Sequence, residues 1–256
     1  MGGDPEVCSS AGQALAEAGF EQKALRCYSR AAVLEPTNPL AWYSKGVLLY
    51  RLRRYDEAAR SFQIAAESSA GKEWSSAVWY WRAQALIEIA ADDEAVTCLE
   101  KALEINPDFA DAWEAKGICF HYAGRYEDAV SCYDRAVWIS SEHSSAWLNR
   151  GYALARLERH DEAMHCYDEA LKHDPDCVDC WIGKGHVHEA YGRIEEAIMQ
   201  YDHALRIDRE CVDALVDKAD CLEELGRHEE AERCLDEVVS LEVRDLDLLL
   251  SGPALD

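Results

Sequence analysis

Cys177-x2-Cys180 is the one spacing in this sequence that reads as metal or redox chemistry, and His173, His186 and His188 lie close by. Two such thiols can take one edge of a tetrahedral zinc site or close a reversible disulfide. A structural zinc site needs four ligands, often from two such pairs, and a second CxxC is missing. His186 and His188 cannot face the same way on a helix. No metal site is therefore expected, and free thiols in a reducing compartment fit the cysteines best, with redox regulation through Cys177 and Cys180 as an alternative. Phosphate-binding glycine loops, G-x-S-x-G elbows and HExxH motifs are all absent. Paired carboxylates are plentiful (Asp56-Glu57, Glu127-Asp128, Asp161-Glu162, Glu195-Glu196, Glu229-Glu230), but each pair stands where a helix starts and offsets the positive end of its dipole. No catalytic residue and no cofactor is assigned, and the chain reads as a non-enzyme.

What positions these residues is a repeat. Gly117, Gly151 and Gly185 are 34 residues apart, and each follows a tryptophan by four: Trp113, Trp147, Trp181. Aligned on that glycine, seven repeats cover 5–38, 39–72, 76–109, 110–143, 144–177, 178–211 and 212–245, and a capping segment or tail covers 246–256. Position 4 of the repeat carries Trp42, Trp79, Trp113, Trp147 and Trp181, and position 8 is always small. Position 20 is alanine throughout, from Ala24 to Ala231, and position 24 is mostly aromatic (Tyr28, Phe62, Tyr133, Tyr167, Tyr201). Apolar residues recur at helical spacing on both sides of a break such as Gly124-Arg125-Tyr126-Glu127, so each repeat is an antiparallel helix pair. The small residues let the two helices approach, with the tryptophan filling the space beside them. Burial of one such ring contributes roughly 1.5–3 kcal/mol. Prolines at position 32 (Pro36, Pro107, Pro175) start the turn into the next repeat. Five cysteines, including Cys98, Cys132 and Cys166, share position 23 beside the aromatic, where packing explains them.

The W-x2-L-G-x2-Y, A-x3-F, A and P positions so matched resemble the tetratricopeptide repeat, TPR, over residues 5 to 245. The resemblance implies an all-α fold, an α-solenoid winding as a right-handed superhelix of about seven helix-turn-helix units. One departure recurs: the leucine before the glycine is here Lys45, Arg82, Lys116, Arg150, Lys184 and Lys218. A basic stem can lie along apolar surface with its charge in water. That exchange and the acidic balance look like prokaryotic and archaeal arrays of the family.

In such repeats the first helices line a concave groove, with positions 2, 5, 9, 12 and 13 facing a bound peptide. Carried over, these positions select Tyr43, Val47, Tyr50, Tyr80, Ile87, Ile118, Tyr122, Leu148, Tyr152 and Ile182, then Asp213, Asp220 and Glu224. An aromatic and aliphatic floor thus leads to an acidic end. The Lys, Arg and Asn set that clamps a terminal carboxylate in chaperone-tail binders is missing, with Ser9 and Gln13 in its place. The asparagine ladder of sugar-transferase arms is missing too. The resemblance implies a scaffold or adaptor that binds a protein or peptide with an apolar stretch and a basic flank. The alternatives are an accessory subunit presenting substrate to an enzyme, or a self-assembling scaffold.

Composition agrees. Fifty Asp and Glu against 26 Lys and Arg leave a formal charge of −24, which repels nucleic acid and anionic membrane. The start, Met1-Gly2-Gly3-Asp4-Pro5, has no signal-peptide character and no apolar run spans a membrane, so a cytoplasmic address is expected. Two places depart from the regular array. Residues 73–75 are an insert carrying Trp74, read as a loop pinned on the solenoid, or as an exposed aromatic patch or small bend used for docking. The leucine-rich tail 246–256 is read as a cap on the last repeat, or as a segment that self-associates in a neighbour's groove.

Overall fold

The computed structural model describes residues 4–69 and 75–250, with side chains through 244. Trp74 and residues 251–256, on which parts of the insert and tail readings rest, lie outside the described residues. Those described form fourteen helices and no strand. They fall into two compact units, Met1–Ile139 and Ser140–Asp256. The first unit holds α1 (Pro5–Glu17), α2 (Glu21–Leu34), α3 (Pro39–Arg51), α4 (Tyr55–Ser68), α5 (Ser75–Ile87), α6 (Asp92–Ile105), α7 (Ala110–Tyr122) and α8 (Tyr126–Ile139). The second holds α9 (Ser144–Arg156), α10 (His160–His173), α11 (Val178–Ala190), α12 (Ile194–Ile207), α13 (Val212–Glu224) and α14 (His228–Leu250).

Each odd helix pairs with the even helix after it, and within a unit each pair packs on the next. The turn inside each pair is built the same way seven times. One residue takes a left-handed conformation: Gly19, Arg53, Ala90, Gly124, Glu158, Gly192 or Gly226. The following N–H then reaches back across the helix end, as in Phe20 N to the Leu15 carbonyl at 2.8 Å and Arg159 N to the Leu154 carbonyl at 2.9 Å. This closure satisfies carbonyls that the helix end leaves open. Arginines at the next position hold an acid three residues on: Arg54 with Glu57, Arg125 with Asp128, Arg159 with Glu162 and Arg227 with Glu230.

Inside each pair the alanine of the second helix is fully buried in all seven repeats. The glycine of the first helix faces the position-24 aromatic ring. A Cβ on Gly117 or Gly151 would lie 2.5 Å from Cε1 of Tyr133 or Tyr167. The small residue thus makes room for the tyrosine, and the tryptophan has another place. Trp42, Trp79, Trp113, Trp147 and Trp181 are only half-buried. Trp42 and Trp113 donate Nε1–H to the carbonyls of Pro36 and Pro107, and Trp147 to that of Ser141, each at 2.9 Å. The tryptophan therefore ties its helix to the turn before it, and the fully buried aromatics are Phe62, Tyr133, Tyr167 and Tyr201.

The lysine-for-leucine exchange has a physical reason as well. Lys45, Lys116 and Lys184 lie over the tryptophan of their own helix. Lys116 then reaches Glu100 at 2.9 Å, Lys184 reaches Asp168 at 2.7 Å and Lys218 reaches Asp202 at 2.7 Å, each acid standing on the second helix of the preceding repeat. The three lysine side chains are only 15–23% exposed. Their stems fill the place of leucine, and their ammonium groups bridge one helix pair to the previous one.

Candidate functional site

Within each unit the odd helices also touch one another directly: α3 with α5, α5 with α7, and α9 with α11. They form the closer-packed side, and the candidate groove residues stand on them.

In the first unit that side is aromatic. Tyr43 packs against Phe62 at 5.8 Å, and Tyr50 meets Tyr55 and Trp81 edge-on at 5.2 and 5.5 Å. Trp81 meets Tyr80, which packs against Phe109 at 4.9 Å. Edge-on and tilted contacts of this kind suit the ring quadrupole and hold the rings as one rigid set. The Tyr50 hydroxyl donates to Glu88 at 3.3 Å. Burial, then the Glu88 charge, push that hydroxyl up to about 12. Burial also raises Tyr43 and Tyr80, so all three are neutral donors at physiological pH. Val47 and Tyr43 line a shallow cleft of about 150 Å³ with Tyr28 and Arg51. Ile87 and Ile118 are half-buried, while Tyr122 is 78% exposed. Trp81 and Tyr55 join this aromatic set although the family positions omit them. The run Trp79-Tyr80-Trp81 was the available signal for the tryptophan.

The second unit is different. Leu148 is half-buried. Tyr152 meets Tyr167 edge-on at 5.8 Å and donates its hydroxyl to the Asp179 carbonyl at 3.2 Å. Burial, then the charges of Asp179 and Asp213, raise its pKa. Ile182 was expected to face a ligand, but it is buried in the core against α12 and α13. Ile182 therefore contributes packing. Asp213, Asp220 and Glu224 are exposed. Other acids on this side already have internal partners. Glu189 accepts from the Tyr201 hydroxyl and from Cys221 Sγ, and Asp217 meets His186 Nε2 at 2.8 Å. The bond to Asp217 chiefly raises the His186 pKa against its partial burial, and the charges of Asp217, Glu189 and Asp213 add to it.

Cys177 and Cys180, expected as free thiols, are joined as a disulfide with their Cα atoms 5.4 Å apart. The reason is local. Cys177 caps α11 with its sulfur turned toward the Cys180 N–H, and the first helical turn brings the two side chains together. The other nine cysteines are in no disulfide. Burial pushes Cys119 up to about 12 and Cys132 to about 11, and also raises Cys98 and Cys221, which keeps them protonated packing residues. Among the described residues no three His, Cys, Asp or Glu side chains are grouped to hold a metal ion, and no helix is long and apolar enough to cross a membrane.

The odd helices of the first unit present apolar rings and neutral hydroxyls, and those of the second present exposed carboxylates. Such surfaces suit recognition of another chain. Comparison with known proteins gives the same architecture. Tetratricopeptide repeat family models match residues 10–73, 76–109, 98–131, 144–177 and 188–248. A comparison with curated proteins finds no match. Among solved structures, a tetratricopeptide repeat protein from Parabacteroides merdae aligns with TM-score 0.73 at 16% identity, covering 93% of each chain. The C-terminal part of a TPR repeat-containing protein from Cytophaga hutchinsonii gives 0.71 at 13% identity, over 96% of this chain and 99% of that one. YrrB, described as a TPR protein with an unusual peptide-binding site, gives 0.59 at 22% identity over 69% of this chain and 90% of its own. At these identities the likeness is one of fold. With seven helix hairpins of one design and repeat-family matches along most of its length, the chain belongs to the tetratricopeptide repeat family.

Proposed function

We propose that this protein is a non-enzymatic interaction scaffold whose odd helices hold a partner protein or peptide carrying an apolar stretch and a basic flank. The observation that carries the proposal is the contrast between the two units. The first offers the aromatic set of Tyr43, Tyr50, Tyr80 and Trp81, and the second offers the exposed acids Asp213, Asp220 and Glu224. Rings already locked by their neighbours lose little entropy on binding, so they serve as anchors. Exposed carboxylates contribute mainly to encounter rate and orientation, in a salt-dependent way. The peptide-binding site attributed to YrrB supports the same use of this fold.

A peptide array graded in charge and hydropathy tests the proposal. Peptides joining a leucine- or phenylalanine-rich stretch to a lysine or arginine block should bind, and acidic peptides should not. Tyr43→Ala with Tyr50→Ala should weaken binding by about tenfold or more, the scale of an anchor residue. Asp213→Lys with Asp220→Lys should chiefly abolish the preference for the basic block. Trp138→Ala, 71% exposed on α8, is the control and should change nothing. Equal binding of acidic and basic peptides, or full binding by the tyrosine variant, would remove the proposal.

A further inference from the structure

We propose that Cys177 and Cys180 form a reversible dithiol–disulfide pair that fastens the first turn of α11 beneath Tyr152. Their Cα separation of 5.4 Å lies within the span that a disulfide bridges without backbone movement. The two positions also differ in access as such a pair requires. Cys177 is half-buried at the helix cap and can be reached from solvent, while Cys180 is fully buried behind it. In the reduced protein the N–H groups that open α11 favour a thiolate at Cys177. That thiolate attacks one sulfur of a small-molecule or protein disulfide; a mixed disulfide forms at Cys177, and one thiolate leaves. Cys180 gives up its proton to the departed thiolate and attacks the Cys177 sulfur, expelling the second thiolate, which takes a proton from solvent. Two protein thiols are thereby oxidised and one external disulfide is reduced to two thiols. Excess thiol runs the sequence backwards.

The rest of the chain supplies contrast and control. Cys98, Cys119, Cys132 and Cys221 are buried and held as thiols, so they are poor nucleophiles for this exchange. Cys211 stands at the N-cap of α13 with backbone angles close to those of Cys177 at α11, but without a side-chain cap bond, and the residue three further on is Ala214. The chain therefore contains the same turn with no second sulfur, and Cys180→Ala at α11 reproduces a helix start that this fold already uses. The consequence reaches the candidate groove through Asp179. It stands inside the loop that the pair closes, and its carbonyl accepts the Tyr152 hydroxyl. Oxidation holds this carbonyl in place, and reduction leaves its turn held by hydrogen bonds alone. The inference does not depend on the nature of the partner.

The test uses the full chain equilibrated in glutathione buffers from fully reduced to fully oxidised, then acid-quenched, denatured, alkylated and weighed. The reduced chain should take up eleven labels and the oxidised chain nine, with the missing two mapped to the Cys177–Cys180 peptide and restored by thiol. Hydrogen exchange over residues 178–183 should be several-fold slower in the oxidised chain, and Cys180→Ala should show no such redox difference. Eleven labels under all buffers, glutathione trapped on Cys177 without ring closure, or closure that leaves exchange unchanged would each overturn the proposal.

Discussion

At the scale of single residues, the side chains around His186 couple α11 to α13. Its Nε2 meets Asp217 at 2.8 Å, with Glu189 on its own helix and Asp213 on α13 adding negative charge. The folded pKa is raised above 6.5. The pair therefore stabilises the fold fully below the unfolded value and loses that contribution as pH rises through the higher folded value. The histidine side chain is half exposed, so solvent screens the pair and its contribution is about 0.5 kcal/mol. Urea unfolding at pH 6 and pH 8 should show the wild-type chain losing that much more stability across the interval than His186→Gln. Identical pH slopes would remove the role assigned to the pair. The glycine–tyrosine contacts work at the same scale without charge, since the missing Cβ of Gly151 leaves the room that the Tyr167 ring occupies.

At the scale of the helix pair, one backbone conformation repeats where side-chain chemistry does not. The left-handed turn residue is glycine four times, but Arg53, Ala90 and Glu158 adopt it with φ of 57°, 55° and 60°. A Cβ in that region costs roughly 1–2 kcal/mol, and glycine removes the cost while loosening the unfolded chain slightly. Ala90→Gly should therefore stabilise the protein by about 0.5–1 kcal/mol, seen as a higher urea midpoint with an unchanged slope. A lower midpoint would mean that the Ala90 side chain makes a packing contribution larger than its strain. The bridging lysines belong to this scale too: Lys116, Lys184 and Lys218 join neighbouring pairs through charges on partly covered stems.

At the scale of the whole chain, the excess of 24 negative charges opposes every local ion pair. The i,i+3 pairs at the turns are exposed, so each contributes only a few tenths of a kcal/mol. Repulsion summed over the acidic surface outweighs them. Raising sodium chloride from about 20 to about 300 mM shortens the screening length from roughly 20 Å to 6 Å and should raise the melting temperature by a few degrees. Calorimetry checks this, and a falling melting temperature would mean that the paired charges dominate. Because contacts within each unit run between neighbouring hairpins, such changes should be spread along each unit.

Periodicity alone determined the helical architecture, since glycine, alanine and aromatic residues recurring every 34 positions leave each hairpin only its neighbours to pack against. The acid excess was equally plain, because net charge is a sum and needs no coordinates. What a repeat alignment could not supply was the depth and partner of each side chain, which depend on contacts dozens of residues away. Ile182 and Leu148 share one repeat position, yet the first is buried and the second half-exposed. Glu189 accepts from the Tyr201 hydroxyl and from Cys221, partners that no spacing in the sequence reveals. The glycines were expected beside tryptophan, but the ring against them is the position-24 aromatic of the facing helix. Cys177 and Cys180 were legible as a spacing, but only the geometry of the α11 cap, which turns both side chains to the same side, decided that they meet.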